Sequence, residues 1–302
     1  MSAGVVLITG VPRAGTTLTV ELLGQLPDCV ALDEPINADQ LLHGARHPAG
    51  RWAAIRARAG HRAPPSERLD PERVVDNILG FCRDMRCSAL DRGVVVSKHV
   101  GGVVVGSRVA DGFEPGGPRQ QIARREEIPV GKALSPQFTL FVKHNSAFAG
   151  VLPDLSRRAP VYGIVRNPLA ILASWNTVPF PVSRGHAHAA ERFEPRLAQS
   201  LARLADVHAR QLHLLQWFFD RLQEVLGSSR IVRYEDIIAS EGSVLQVIHP
   251  SAAAVKTPLA SRNHSKVYDE KTMNELGRRL LGTDGAFWNF YDRADVLGLM
   301  PA

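Results

Sequence analysis

Short, continuous apolar runs alternate along this chain with longer stretches in which apolar positions recur every three or four residues. The run at 5–8 has no polar member, which predicts a strand buried on both faces of a parallel sheet. Runs at 30–32, 94–97, 139–142, 161–165 and 231–232 predict further strands. Helical spacing fills much of the rest. A helix is expected over 17–25, ended by Pro27 and Asp28. Residues 38–92 read as helical with breaks at 44–50 and at Pro64-Pro65. Within them, Asp70-Pro71-Glu72 supplies an N-cap and a first-turn proline for a helix through about Met85. Asn167-Pro168 opens another through about Trp175, 196–226 reads as one long amphipathic helix closed by Gly227, and 270–281 as a last one. Residues 179–195 read as loop, and 100–136 as a β-hairpin or mobile insertion. Strands alternating with helices predict an α/β fold, a doubly wound and mostly parallel sheet flanked by helices, in one domain over 1–302.

Composition narrows the classes. With 45% hydrophobic and 22% charged residues among 302, the chain can build a full core. No apolar run reaches the length of a membrane span, and 5–8 is too short and lacks a basic lead-in for a secretory signal. Three cysteines, Cys29, Cys82 and Cys87, fit reduced thiols and a cytoplasmic protein, with no zinc-type spacing. The net charge of +6 is spread along the chain and only 6% of residues are aromatic, so a small anionic ligand is expected rather than nucleic acid.

Gly10-Val11-Pro12-Arg13-Ala14-Gly15-Thr16-Thr17 follows the first apolar run. Two glycines enclosing four residues, opening into a helix, form a phosphate-cradling loop of the P-loop type. Thr16 stands where a nucleotide triphosphatase carries its lysine, and Arg13 supplies a cation from inside the loop. Other strand ends carry Lys98, Lys143, Arg166 and Arg233, and no apolar run ends in a lone aspartate suited to magnesium. Fixed cations in place of a metal suit a phosphorylated ligand that brings no magnesium with it.

Three segments together resemble the sulfotransferases that use 3′-phosphoadenylyl sulfate (PAPS). Residues 12–17 are similar to that family's 5′-phosphosulfate loop. Tyr162-Gly163-Ile164-Val165-Arg166-Asn167-Pro168, with Ser174 eight residues after the arginine, is similar to its 3′-phosphate motif. Val232-Arg233-Tyr234-Glu235-Asp236 resembles a third segment, whose tyrosine lies against the nucleotide. The resemblance implies PAPS as donor, no metal, and a hydroxyl of a sugar or other small metabolite as acceptor. It places Pro12, Arg13, Ala14, Gly15, Thr16, Thr17, Arg166, Ser174 and Tyr234 around the nucleotide. Arg166 and Ser174 would then meet one phosphate, the arginine extended alongside the helix.

Arg13 and Lys143 are the expected cations for the leaving and transferring oxygens. Glu34, in Leu32-Asp33-Glu34-Pro35, is the preferred base, matching a glutamate soon after the loop helix in relatives that act on tyrosyl peptides or sugars. A slip of one position would substitute Asp33. His144 is the rival base, by partial likeness to the histidine of relatives acting on phenols and steroids. The family's C-terminal arginine-lysine-glycine motif is missing, and Arg262 in 261–266 is the candidate replacement. His186 and His188 read as an acceptor-side loop or plain surface and not as a metal pair. The alternatives are a P-loop small-molecule kinase and a non-catalytic nucleotide-binding module.

Overall fold

The computed structural model describes residues 4–36, 70–104 and 122–301. Its strands are β1 (Val5–Gly10), β2 (Cys29–Asp33), β3 (Val94–His99), β4 (Arg124–Pro129), β5 (Thr139–Lys143), β6 (Val161–Val165) and β7 (Ile231–Arg233). Five of them form a parallel sheet in the order β2-β5-β1-β6-β7. The fold is α/β with helices flanking this sheet, in keeping with double winding. Leu7 and Ile8 of β1 and Ile164 and Val165 of β6 are fully buried, as a continuous apolar strand requires when both faces are covered.

The helices are α1 (Thr16–Gln25), α2 (Pro71–Arg92), α3 (Asn145–Gly150), α4 (Leu152–Arg158), α5 (Pro168–Trp175), α6 (His188–Phe193), α7 (Pro195–Arg203), α8 (Val207–Leu226), α9 (Tyr234–Ala239), α10 (Glu270–Leu281) and α11 (Arg293–Leu297). Helix α1 packs against β1, β2 and β5, and α8 against β6 and β7. Among the described residues no helix is long and apolar enough to cross a membrane.

Four expectations change. The run at 94–97 does not join the parallel sheet: β3 pairs antiparallel with β4, with buried Val95 opposite buried Ile128 and Lys98 opposite Arg125. Part of the segment 100–136 is therefore a strand, and 105–121 lies outside the described residues, as do the breaks expected at 44–50 and 64–65. Helix α2 runs past Met85 to Arg92, where Gly93 adopts φ 65° and ends it. Residues 179–195 are not loop throughout, since a 3₁₀ turn (Pro181–Arg184) and α6 lie within them. The long helix at 196–226 is two helices. Asp206 accepts a hydrogen bond from the Ala209 amide at 2.7 Å, a side-chain cap that starts α8 afresh.

Candidate functional site

From β1 the chain crosses to one side of the sheet, and from β5 it returns past β1 to β6. Such a reversal opens a crevice beyond the carboxyl ends of the central strands. A cavity of about 710 Å³ lies there, within the range that holds small ligands. Its walls come from the turn after β1, the ends of β2, β3, β5 and β6, and residues of 180–189 and 258–262.

One wall is built around Arg166. Its Nη1 donates to the Arg13 carbonyl at 3.2 Å, its Nε to Asn263 Oδ1 at 2.8 Å, and its Nη2 to the Arg262 carbonyl. The guanidinium also lies over the Tyr234 ring, 4.7 Å from its centroid, a cation–π contact. The Tyr234 hydroxyl accepts from the Arg262 amide at 3.0 Å. Gly15 must be glycine here. Its φ is 89°, and a Cβ would sit 2.6 Å from Tyr234 Cδ2. Arg13 is itself left-handed, with φ 75°, a conformation that costs a non-glycine residue free energy and recurs at ligand sites. The loop is further held by Trp175, whose indole donates to the Pro12 carbonyl at 2.8 Å.

Glu235 ties this wall together from behind. Its Oε1 accepts from the Asn167 amide at 2.9 Å and from Asn263 Nδ2 at 2.8 Å, and its Oε2 from the Tyr291 hydroxyl at 2.7 Å. Burial, and then the neighbouring Glu235 carboxylate, push the Tyr291 phenol well above the usual tyrosine range, so it stays a donor.

The opposite wall is a chain of alternating charges. Lys143 Nζ lies 3.0 Å from Glu34 Oε1 and 3.2 Å from Asp33 Oδ1, and Lys98 Nζ lies 2.6 Å from Glu34 Oε2. Strand register dictates the Lys143–Asp33 pair, because β2 and β5 run parallel with Asp33 opposite Lys143. The Asp33 and Lys143 side chains are 2% and 0% exposed, whereas Glu34 is 16% exposed and faces the cavity. Glu34 too is left-handed, at φ 39°. Its amide donates to the Lys143 carbonyl at 2.9 Å, and its own carbonyl accepts from Arg125 Nε at 3.0 Å. Next to this group, burial lowers the His144 imidazole to about 4, so it is neutral near pH 7.

Pro12, Arg13, Gly15, Thr16, Thr17, Glu34, Lys143, His144, Arg166, Tyr234 and Arg262 therefore share one cavity wall or another. Ala14 and Ser174 are buried and do not line it. The Ser174 expectation needs correcting, because its hydroxyl accepts from Arg13 Nε at 3.1 Å while Arg166 turns away to Asn263 and Arg262. Of the strand-end cations, Lys98, Lys143 and Arg166 meet at the cavity. Arg233 instead stacks on Tyr291, 4.9 Å from the ring centroid. Sequence reasoning missed Asn263 and Glu235 as positioning residues. It noted Lys98 only as a basic strand end, whereas the structure pairs it with Glu34. Compared with known proteins, the chain matches no family model and no curated protein.

Proposed function

We propose that this protein is a P-loop-type sulfotransferase that moves the sulfonyl group of PAPS to a hydroxyl of a sugar or other small metabolite. One observation carries the reading. The glycine-rich turn, Arg166, Tyr234 and Arg262 converge on one wall, and an acid flanked by two lysines stands on the other. The first turn of a helix leaves amide donors without intrahelical acceptors, and its dipole favours an anion, so α1 suits the 5′-phosphate. Arg166 brings to the same wall a guanidinium, the group that best recognises phosphate, held in place by Asn263 and the carbonyls of Arg13 and Arg262. The acids at the strand ends, Asp33 and Glu34, are already neutralised by lysines, an arrangement that fits a magnesium-dependent kinase poorly.

In the reaction, the acceptor oxygen bonds to sulfur as the bond from sulfur to the 5′-phosphate oxygen breaks, releasing adenosine 3′,5′-bisphosphate. Glu34 takes the acceptor proton. As its carboxylate is neutralised, Lys143 and Lys98 lose their attraction to it and become available to the sulfonyl and leaving oxygens. Arg13 stands at the leaving phosphate. The neutral, low-basicity His144 is the weaker base candidate.

Binding of adenosine 3′,5′-bisphosphate, followed by thermal shift beside adenosine 5′-monophosphate, tests the nucleotide assignment. The bisphosphate should stabilise the wild type by about 2.7 kcal/mol at a hundredfold excess over its dissociation constant. Arg166→Ala should erase its advantage over the monophosphate. Equal binding of the two nucleotides by the wild type would refute the assignment. Glu34→Gln should lower kcat by about 10²–10⁴ and leave bisphosphate binding unchanged.

A further inference from the structure

At the cavity rim, His186 and His188 line the opening and Glu191 stands beside them on α6. His186 Nδ1 is 3.2 Å from Glu191 Oε2, and His188 Nδ1 is 3.7 Å from Glu191 Oε1. One ligand atom from each of the three lies within 4.8 Å of the others. Zinc takes nitrogen and carboxylate oxygen at about 2.0–2.2 Å in a tetrahedron, so its ligand atoms stand about 3.3–3.5 Å apart. Measured to the one oxygen they share, Glu191 Oε1, the two Nδ1 atoms stand at 3.3 and 3.7 Å, close to that spacing. The imidazole rings stack 27° from parallel, with centroids 5.5 Å apart, and each turns its Nδ1 to the Glu191 carboxylate.

The scaffold beneath is fixed before any ion arrives. Gly185 adopts φ 73°, and a Cβ there would sit 2.4 Å from Arg210 Cβ on α8. Arg210 Nε donates to the Arg184 carbonyl at 3.0 Å. Fully buried Gln211 donates to the carbonyls of Val182 and Ser183 at 3.3 and 3.1 Å. The Ala187 amide donates to Glu191 Oε1 at 2.6 Å, orienting the carboxylate as outer-shell donors do at metal sites.

We infer that His186, His188 and Glu191 form a binding site for one divalent transition-metal ion, zinc being the best match, with its fourth position turned to the cavity. Two imidazoles and a carboxylate are a ligand set that zinc sites with an open position use. Two of the three ligands line the cavity, so an oxygen of the acceptor is the natural fourth ligand. The fourth ligand rests on the sulfonate-transfer reading, whereas the three-residue site does not, and its test needs no turnover.

The full chain, stripped with a chelator and dialysed, is titrated with zinc by calorimetry and with cobalt(II) by visible absorption. The wild type should take up one ion per chain and show the intense bands of tetrahedral cobalt. His188→Ala is the decisive variant, since that side chain is 61% exposed and its loss leaves the packing intact. Affinity should fall by more than the roughly 10–100-fold that loss of an outer-shell partner costs. His208→Ala removes a different histidine–carboxylate pair, His208 Nδ1 to Glu275 Oε1 at 3.1 Å, and should leave binding unchanged. No stoichiometric uptake by the wild type would overturn the assignment. So would binding that survives His188→Ala or that is lost with His208→Ala, and the three residues would then be a hydrogen-bonded helix start only.

Discussion

Lys143→Met offers the most direct measure of the charge chain on which the acid wall stands. The lysine side chain is fully buried between Asp33 and Glu34, and methionine matches its length without its ammonium. Removing it leaves Asp33, 2% exposed, without the cation that the strand register sets against it. Breaking a buried ion pair from one side costs about 3–5 kcal/mol. At about 2 °C per kcal/mol for a chain of this size, Tm should fall by roughly 6–10 °C. Asp33→Asn alone should cost less, because Glu34 still accompanies the lysine 3.0 Å away. The double variant should recover part of the loss, so the two changes should fail to add by more than about 0.5 kcal/mol. Urea unfolding of the four proteins gives the cycle. If the single variants add within that margin, or Lys143→Met melts with the wild type, the charge chain contributes nothing and the reasoning is refuted.

Two further predictions concern neighbouring groups. His144 has a folded value of about 4 against the ordinary 6.5, so the unfolded chain binds a proton that the folded one does not between those limits. Its contribution is complete above pH 6.5 and declines as pH falls toward 4, by about 3 kcal/mol in all. His144→Asn should remove that share of acid sensitivity, read as the difference in urea stability between pH 7.5 and 4.5. An unaltered pH difference would show that the imidazole charges freely in the fold. Gly15→Ala should destabilise by about 2 kcal/mol or more, the left-handed backbone and the Tyr234 contact adding, and should abolish bisphosphate binding. A stable, binding-competent Gly15→Ala protein would mean that the turn is not held against the ring.

The parallel sheet was legible because its strands are continuous apolar runs, and the glycine-rich turn because its spacing is local. Position 166 was legible for the same reason: the guanidinium directly follows a buried strand. Longer-range facts were not. Nothing local distinguishes the run at 94–97 from a sheet strand, since its antiparallel partner begins some 25 residues later, at Arg124. The break between α7 and α8 depended on whether Asp206 capped a helix or decorated one, which amphipathic spacing cannot decide. Glu34 was the preferred acid, with Asp33 left as the outcome of a one-position slip, because period-two reasoning fixes faces only when register is known. The positive φ at Glu34 turns that side chain toward the cavity, while Asp33 stays in the sheet. Ser174 kept its sequence distance from Arg166 yet found Arg13, because the arginine's direction is set by Asn263 and Arg262, about a hundred residues away.

Glu235 gathers the amide of Asn167, the side chain of Asn263 and the hydroxyl of Tyr291. The central strands and the glycine-rich turn precede all three partners in the chain, and Asn263 and Tyr291 follow only after α8 and β7. During synthesis the early portion can therefore assemble its sheet while the guanidinium at 166 still lacks its clamp. The guanidinium gains that clamp only when Asn263 has docked, and Glu235 its last partner only with Tyr291, so on the proposed reading capture of an adenosine bisphosphate would report docking of this later segment and not merely assembly of the core.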